Sequence, residues 1–406
     1  MCEEITEYFF AHPKVQNLLK SQEHFDAVVV ELFVNEAVTI FAHHFKAPLI
    51  ILSSLGPNFW INGLVANPEP PAYVPNLFLN FNSEMRFSQR LYNFLAGIFC
   101  QLNTHFLIYP NQNKILKKYY PDGPDLSEII YNTSLIFLNS HESIHEPVPI
   151  VPNIVHIGGY HVTPPKTLPK DLQHFLDNSK EGAIYFSLGS NVVPSQMPND
   201  TRDAILKVLG SRKENILWKW DQDSLPNQPP NIKLSKWFPQ QDLLAHPNIK
   251  LFITHCGLLS TTEAVYHGVP ILGFPIFGDQ QMNAERAATL GVGKFIDFFT
   301  INEKNLKEAI NDILDNPRYL RNTKYRSELM HDRPVKPMDL AAYWVDYVIR
   351  HKGAQHLQVA GVQLPLYKYL MLDVLAIIFV IAFTIFYSFY RIVKHCTTQT
   401  IKEKKH

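Results

Sequence analysis

The sequence predicts an α/β protein with doubly wound parallel sheets, followed by one C-terminal transmembrane helix. Two observations lead to this fold class. Short apolar, β-branched segments alternate with helical stretches, which is the pattern of right-handed βαβ units. Near the C-terminus, residues 374–390 form an uncharged apolar run. With 406 residues, 46% of them hydrophobic, the chain can bury the cores of two ordinary domains.

The predicted strands are short and rich in β-branched and aromatic residues, as expected for strands buried on both faces of a parallel sheet. Helical stretches such as Thr201–Leu209 and Asn302–Leu314 alternate with them. The predicted strands are Phe25–Phe33, Pro48–Leu52, Leu135–Asn139, Ala183–Leu188, Ile216–Trp220, Ile249–Thr254 and Val269–Phe274.

Residues 151–168 are the predicted domain linker, because the sequence around them is rich in proline and glycine. They separate a Phe-rich first part, 1–150, from a second part, 169–350, with cleaner alternation of strands and helices. Residues 351–368 form a juxtamembrane segment. Neither part contains GxGxxG, so the usual dinucleotide-binding fingerprint is absent.

The C-terminal apolar run predicts a membrane span at residues 369–390. As a helix, these 22 residues are long enough to cross roughly 30 Å of hydrocarbon, and they lack the polar face of a soluble helix. The tail at 391–406 is basic, which predicts a cytoplasmic tail and a lumenal body. Its last five residues resemble a dilysine signal for retrieval to the endoplasmic reticulum, although a plain basic tail has the same composition. A single-pass type I protein of that membrane is therefore expected.

Two further features concern the lumenal assignment. The sequons at Asn132 and Asn199 fit a compartment with glycosylation machinery. However, the chain opens with the acidic sequence MCEEITEYFF and lacks the positive and apolar regions of a secretory signal. Either the start of the protein is missing, or membrane insertion depends on the C-terminal span.

Charge and cysteine content exclude several functions. The formal net charge is zero and the pI is about 7.3, so no basic face is predicted to bind nucleic acid. The four cysteines lack CxxC spacing, which argues against a structural metal site. At most one disulfide, between Cys2 and Cys100, is expected.

The segment FITHCGLLSTTEAVYHGVPILGFPIFGDQ, residues 252–280, carries the first candidate site. His255 and Gly257 lie where a predicted strand meets a helix, and a helix N-terminus with its free N–H groups suits a phosphate. Ser260 adds a hydroxyl donor. Glu263, in the same helix, is suited to accept hydrogen bonds from paired sugar hydroxyls.

Further candidates lie on either side of this segment. Trp237 offers a flat face for a base, and Gln240 can bond to donors and acceptors. Asp279 and Gln280 supply a carboxylate and an amide for sugar hydroxyls. Singly, such residues are more often structural, so their grouping carries the prediction. A second candidate phosphate loop is FSLGS, residues 186–190, which ends a strand with a Gly-Ser turn and contains Ser187, Gly189 and Ser190.

Residues 237–280 resemble the donor-binding signature of the UDP-glycosyltransferase family, with its WxPQ start, HxG centre, glutamate and DQ close. The resemblance extends to FSLGS, to DRPVKPMDLAAYWVDYVIRHKGAQHL and to the anchor, so it covers nearly the whole chain. The stretch LLSTTEAVYHGVPILG is most similar to animal members from insects. In mammalian glucuronosyltransferases an Asn commonly takes the place of Leu259.

This resemblance implies a GT-B fold, in which two Rossmann-like domains face each other. The first, incomplete here, would bind an apolar acceptor and the second the UDP-sugar. Donor, acceptor and membrane are the implied partners, and oligomerisation with like or unlike chains stays open. UDP-sugar would be a co-substrate, with no metal or cofactor needed, because the helix dipole and neutral donors can stabilise the leaving UDP.

The implied donor contacts follow residue by residue. Trp237 would stack on the uracil, Gln240 would assist at the nucleoside and Glu263 would hold the ribose. Ser190, His255, Gly257 and Ser260 would hold the diphosphate, and Asp279 and Gln280 the hexose.

The sequence departs from the family pattern in two places. Cys256 stands where animal members usually have glycine, and a thiol at a helix N-terminus can have a lowered pKa, which would make it sensitive to oxidation. In addition, the resemblance implies a general-base histidine upstream of Met1 and a carboxylate partner at Glu31. The chain is therefore expected to be N-terminally incomplete.

Three functions remain open at this point. The first is an inverting hexosyltransferase acting on small lipophilic acceptors, with glucose expected over glucuronate. The second is an inactive UDP-sugar-binding or heteromerising partner that lacks the base. The third, an N-acetylglucosaminyltransferase subunit of lipid-linked oligosaccharide assembly, is disfavoured by the long first domain and the type I anchor.

Overall fold

The computed structural model describes residues 2–403, with side chains described from 3 to 395. The chain forms two units, which divide after Gln358. Two parallel sheets lie in the first unit. The four-stranded sheet has the order β1-β2-β3-β4, with β1 Val28–Glu31, β2 Leu49–Ser53, β3 Thr133–Leu138 and β4 Ile154–His156.

The second sheet has six strands in the order β10-β9-β8-β5-β6-β7. Read from its other edge, this is the 3-2-1-4-5-6 order of a doubly wound Rossmann sheet. The strands are β5 Ala183–Ser187, β6 Asn215–Lys219, β7 Ile232–Ser235, β8 Ile249–Thr254, β9 Ile271–Gly273 and β10 Gly293–Phe295.

Helices cover both sheets. In the first part of the chain they are α1 Cys2–Ala11, α2 Pro13–Leu19, α3 Ile40–His44, α4 Phe59–Leu64, α5 Phe87–Asn103, α6 Tyr109–Tyr119 and α7 Leu126–Ile130. Around the second sheet they are α8 Lys170–Asp177, α9 Asn199–Gly210, α10 Gln240–Leu244, α11 Leu258–Tyr266, α12 Gln280–Thr289, α13 Glu303–Asp315 and α14 Pro317–His331. The last three are α15 Pro337–Arg350, α16 Leu366–Tyr369 and α17 Leu372–Glu403.

Strand β5 shows why the second sheet is covered on both faces. Successive side chains of a strand point to opposite faces. Ile184 and Phe186 lie in one hydrophobic core, whereas Ala183 and Tyr185 lie in another. A central strand that is buried at every position therefore needs helices above and below, as the sequence predicted.

The first sheet is completed by a helix from much later in the chain. Ala341 and Val348 of α15 pack with Leu135 and Phe137 of β3. Residues 337–350 were assigned to the second domain from sequence, but their buried face belongs to the first core. Likewise, β4 lies within the segment 151–168 assigned to the linker.

In the second unit, α17 contains one candidate membrane span, Leu372–His395. An 18-residue window within these 24 residues has a mean hydropathy of 2.4, and its side chains are exposed. Length and composition alone support the span, and it begins three residues later than the sequence predicted. The predicted retrieval signal reaches into residues 404–406 and lies outside the described side chains, as does the Cys2 partner of the expected disulfide.

Candidate functional site

The candidate site lies where the order of the second sheet reverses. The neighbours β5 and β8 are both central, and their chains continue toward opposite edges of the sheet. Ser187 and Thr254, the last residues of the two strands, are paired. Ligands of doubly wound sheets bind at such a switch point, beyond the carboxyl ends of the strands. A cleft of about 530 Å³ opens there.

Seven of the eleven predicted donor-binding residues line this cleft. The remaining four, His255, Gly257, Asp279 and Gln280, are not among its lining residues. The seven are Ser187, Gly189, Ser190, Trp237, Gln240, Ser260 and Glu263.

His255 fills the space between the two loops that follow β5 and β8. A Cβ atom added to Gly189 would lie 2.5 Å from its Cε1, and one added to Gly257 would lie 2.6 Å from its Nε2. Gly189 also has a φ of +79°, which favours glycine. Burial, with a smaller effect from the charge on Lys219, lowers the pKa of His255 to about 4. The imidazole is therefore neutral at physiological pH and can donate one hydrogen bond without a buried charge.

The loop after β8 ends at Gly257, the N-cap residue of the nine-residue helix α11. No side chain caps this helix, so its first N–H groups remain open toward the loop. Ser260 lies in the first turn and lines the cleft. Open N–H groups and a hydroxyl at a helix N-terminus can bind a phosphate.

Glu263 forms the centre of a hydrogen-bonded group on the same helix. Its Oε2 accepts from Gln240 Nε2 at 2.6 Å, and its Oε1 accepts from Gln241 Nε2 at 3.3 Å. His161 Nε2 lies 3.6 Å from Oε1. The side chain is only 7% exposed, and burial raises its pKa above the usual range despite the two amide donors. The two hydrogen bonds from the glutamines therefore offset only part of the cost of burying the charged carboxylate.

Gln240 is itself fixed by three side chains. It donates from Nε2 to Ser260 Oγ at 3.1 Å as well as to Glu263, and its Oε1 accepts from the Tyr185 hydroxyl at 3.2 Å. Sequence reasoning identified Gln240 but missed Gln241, which directly follows it. Gln241 Nε2 also donates to the His161 carbonyl at 3.0 Å, so it joins α10 to the segment after β4.

Trp237 forms the exposed rim of the cleft. Its side chain is 69% exposed, which is unusual for tryptophan. The ammonium of Lys219 lies 4.8 Å from its ring centroid and donates to the Gly189 carbonyl at 2.9 Å. Lys219, at the end of β6, was missed by sequence reasoning. It places a positive charge between the aromatic rim and the loop after β5.

Asp279 and Gln280 act within the structure of their own loop. The Oε1 of Gln280, which is 4% exposed, accepts from the N–H groups of Ile276 and Phe277 at 2.8 and 3.1 Å. Asp279 Oδ2 accepts from Asn283 Nδ2 at 2.6 Å, and Asn283 also donates to the Cys256 carbonyl. The pair thus shapes the loop beside the cleft, and burial raises the pKa of Asp279.

Cys256 contradicts the expectation of a reactive thiol. Its side chain is fully buried, and burial raises its pKa to about 12. The helix N-terminus cannot lower the pKa of a thiol that is packed in the core. Its φ of +63° is a backbone conformation that favours glycine, which agrees with the glycine expected at this position.

The remaining predicted residues lie elsewhere. Glu31 is exposed at the end of edge strand β1, in an apolar groove separate from the cleft. Burial, with a smaller effect from the charge on Glu31, raises the pKa of Tyr160, the neighbour of His161. Asn132 and Asn199 are exposed, as glycosylation requires. Among the described side chains, no group of three or more His, Cys, Asp or Glu residues could hold a metal.

Comparison with known proteins decides the family. The family model described as "UDP-glucoronosyl and UDP-glucosyl transferase" matches residues 2–406. The chain belongs to the UDP-glycosyltransferase family. It is 38% identical to "UDP-glycosyltransferase UGT5" of Dactylopius coccus over 379 residues, which cover 93% of this chain and 72% of the relative. It is 34% identical to "UDP-glucuronosyltransferase 2B15" of Rattus norvegicus, over 89% of this chain and 68% of the relative.

Solved structures confirm the GT-B fold of this UDP-glycosyltransferase. The glycosyltransferase VinC, in complex with dTDP, matches with a TM-score of 0.60 over 86% of this chain and 79% of its own, at 14% identity. A UDP-glucosyltransferase from Polygonum tinctorium matches with a TM-score of 0.57, at 17% identity, over 85% of this chain and 81% of its own. The predicted class of enzyme, a glycosyltransferase, is confirmed by the family.

Proposed function

We propose that this UDP-glycosyltransferase transfers a hexose, glucose in preference to glucuronate, from UDP-sugar to small lipophilic acceptors with inversion. The cleft at the carboxyl ends of β5 and β8 is the proposed donor site. The observation that carries the proposal is Glu263, a nearly buried carboxylate that accepts hydrogen bonds from two glutamines in the cleft that the exposed Trp237 also lines.

The groups that line the cleft match the chemistry of the parts of UDP. Trp237 offers a flat face for the uracil at the rim. Glu263 is placed to accept hydrogen bonds from the ribose hydroxyls. The N-terminus of α11, Ser260 and Lys219, which lie at the cleft, are proposed to bind the diphosphate. Lys219 would neutralise charge that builds up on the departing UDP.

Asp279 and Gln280 are proposed to act at the hexose end. Because Gln280 is buried and bonded to its own loop, its contribution would be to fix that loop. Asp279 is less buried and has one oxygen bonded to Asn283. The carboxylate can still accept from a sugar hydroxyl.

Glucose is favoured for two reasons. Among the described residues that line the cleft there is no arginine, the side chain best suited to bind a uronate carboxylate. Dactylopius coccus relatives at 37–38% identity include one named "UDP-glucosyltransferase 2". The names of other relatives differ in the sugar, such as the rat glucuronosyltransferases and a human "2-hydroxyacylsphingosine 1-beta-galactosyltransferase" at 32% identity.

The remaining parts of the proposal concern catalysis and place. Glu31 is the proposed partner of a catalytic base, and the endoplasmic reticulum membrane, with the body lumenal and glycosylated at Asn132 and Asn199, is the proposed location. The candidate span and the exposed sequons support this arrangement. A role in detoxification, by conjugation of lipophilic compounds, would fit this location.

The test is UDP release by the full-length protein in microsomes, with UDP-glucose or UDP-glucuronate as donor and a panel of phenols as acceptors. We expect faster turnover with UDP-glucose and strong loss in Glu263→Gln. Glu308→Gln, a neutralised exposed glutamate of α13, is the matched control. Faster turnover with UDP-glucuronate would overturn the donor assignment. Donor binding without turnover would favour the alternative of an inactive UDP-sugar-binding partner.

A further inference from the structure

Helix α5 is amphipathic in the reverse sense from that of a soluble helix. The one residue of α5 that is fully buried is Asn93, whose Oδ1 accepts from the Asn76 N–H at 2.7 Å. Its Nδ2 donates to the carbonyl groups of Pro71 and Val74. Thr104, which begins the π-turn Thr104–Ile108 after the helix, is also buried. Polar groups therefore hold α5 to the body.

The opposite face of α5 is apolar and exposed. Phe87 is 73% exposed, Phe99 is 70% exposed and Phe106, in the following turn, is 72% exposed. A helix of a soluble protein turns such a face toward the core. The main ridge has the three- and four-residue spacing of one helical face, and its members are Phe87, Leu91, Leu95, Phe99, Leu102 and Phe106.

Charge is confined to one end of this face. Residues 91–113 contain no Asp, Glu, Lys or Arg. Arg86 precedes the helix and Arg90 lies in its first turn, where Nη1 donates to the Met85 carbonyl. The absence of acidic groups allows burial in an apolar phase, and the two arginines at one end suit anionic groups at its boundary.

We propose that this face, from Phe87 to Phe106, lies in the interfacial layer of a lipid bilayer. Three observations favour lipid over another protein. The face is rich in phenylalanine and leucine, which are typical of the buried side of interfacial helices. The helix keeps its polar groups on the body side, so it lies on the membrane and does not span it. The same chain carries a candidate span, which gives the face a high effective concentration of lipid.

The test uses the full chain in vesicles of phosphatidylcholine and phosphatidylserine. Cys2, Cys100 and Cys396 are replaced by serine, while buried Cys256 stays. An NBD fluorophore is attached at Phe99→Cys, with Glu308→Cys as the control. With nitroxide quenchers on the upper acyl chains, we expect at least about twofold quenching at position 99 and little at position 308. Leu102→Cys, on the same face, should behave like Phe99→Cys.

Two outcomes would overturn the proposal. Equal, low quenching at positions 99, 102 and 308 would mean that the face is not in lipid. Cross-linking between copies at Phe99→Cys, with protection from water but no quenching by lipid, would mean that a second copy covers the face. Unchanged binding of UDP by the labelled proteins verifies that they are folded.

Discussion

The most direct test of the donor site is Glu263→Gln, which removes a charge and keeps the shape of the side chain. A hydrogen bond to a charged group contributes about 1.5–3 kcal/mol, so the Kd for UDP should rise roughly 10- to 100-fold. The Glu263 carboxylate is nearly buried, and burial raises its pKa. An amide avoids this burial cost, although it loses the charge in the bonds from Gln240 and Gln241.

Stability should therefore not fall together with affinity. A carboxyl group whose folded pKa lies above its unfolded value, 4.5, favours the fold at low pH, and that contribution is lost as the pH rises through the folded pKa. Relative to the parent protein, Glu263→Gln should become more stable as the pH increases through this window. Urea unfolding at several pH values measures the trend.

The ligand provides the second half of the experiment. UDP and its 2′,3′-dideoxy analogue are compared by calorimetric titration of the parent protein and of Glu263→Gln. If Glu263 binds the ribose hydroxyls, the parent protein distinguishes the two ligands and the variant does not. Equal discrimination by both proteins would refute the ribose assignment. A joint loss of stability and affinity would show instead that Glu263 acts through the fold.

Three further predictions concern the rim and the loop after β8. Trp237→Ala should weaken UDP binding by about 1–3 kcal/mol in the same titration. Phe299→Ala, which truncates a side chain that is 73% exposed, should leave UDP binding unchanged. Equal effects of the two substitutions would exclude stacking on Trp237. Cys256 should resist iodoacetamide in the native protein and react after unfolding, because burial raises the pKa of its thiol to about 12. Mass spectrometry locates the label, and rapid labelling of Cys256 in the native protein would contradict this prediction. Gly273→Ala would place its Cβ 2.4 Å from the Cys256 Sγ and should cost about 1–3 kcal/mol in urea unfolding. In a Cys256→Gly background most of that cost should vanish, and additive losses would refute the contact.

Sequence patterns predicted the strands whose burial is continuous and missed those that depend on neighbours. β5 is buried at every position and β8 at every position except Lys250, and both were found almost to the residue. β7 and β10 have only four and three residues, with a lysine in each, and they become strands by pairing with β6 and β9. No local pattern distinguishes such segments from loops.

The same distinction applies to the site. Glu263 and Trp237 belong to a long motif and were identified with their neighbours. Lys219 is a single lysine after an apolar strand, and its place beside Gly189 results from the pairing of β5 with β6. The internal bonding of Gln280 likewise depends on how its loop folds back. Motifs thus indicate which residues gather, whereas the geometry decides which of them face the cleft.

The return of α15 to the first core has a consequence for chimaeras of these enzymes. Since β4 ends at His156 and α15 begins at Pro337, the second sheet is in effect an insertion within the first domain. A single crossover near the linker would join β3 of one parent to α15 of the other and mismatch Leu135 with Val348. With two crossovers, one on each side of the inserted domain, all residues of each hydrophobic core come from the same parent. Exchange of donor specificity between relatives is therefore expected to tolerate cassettes far better than simple tail swaps.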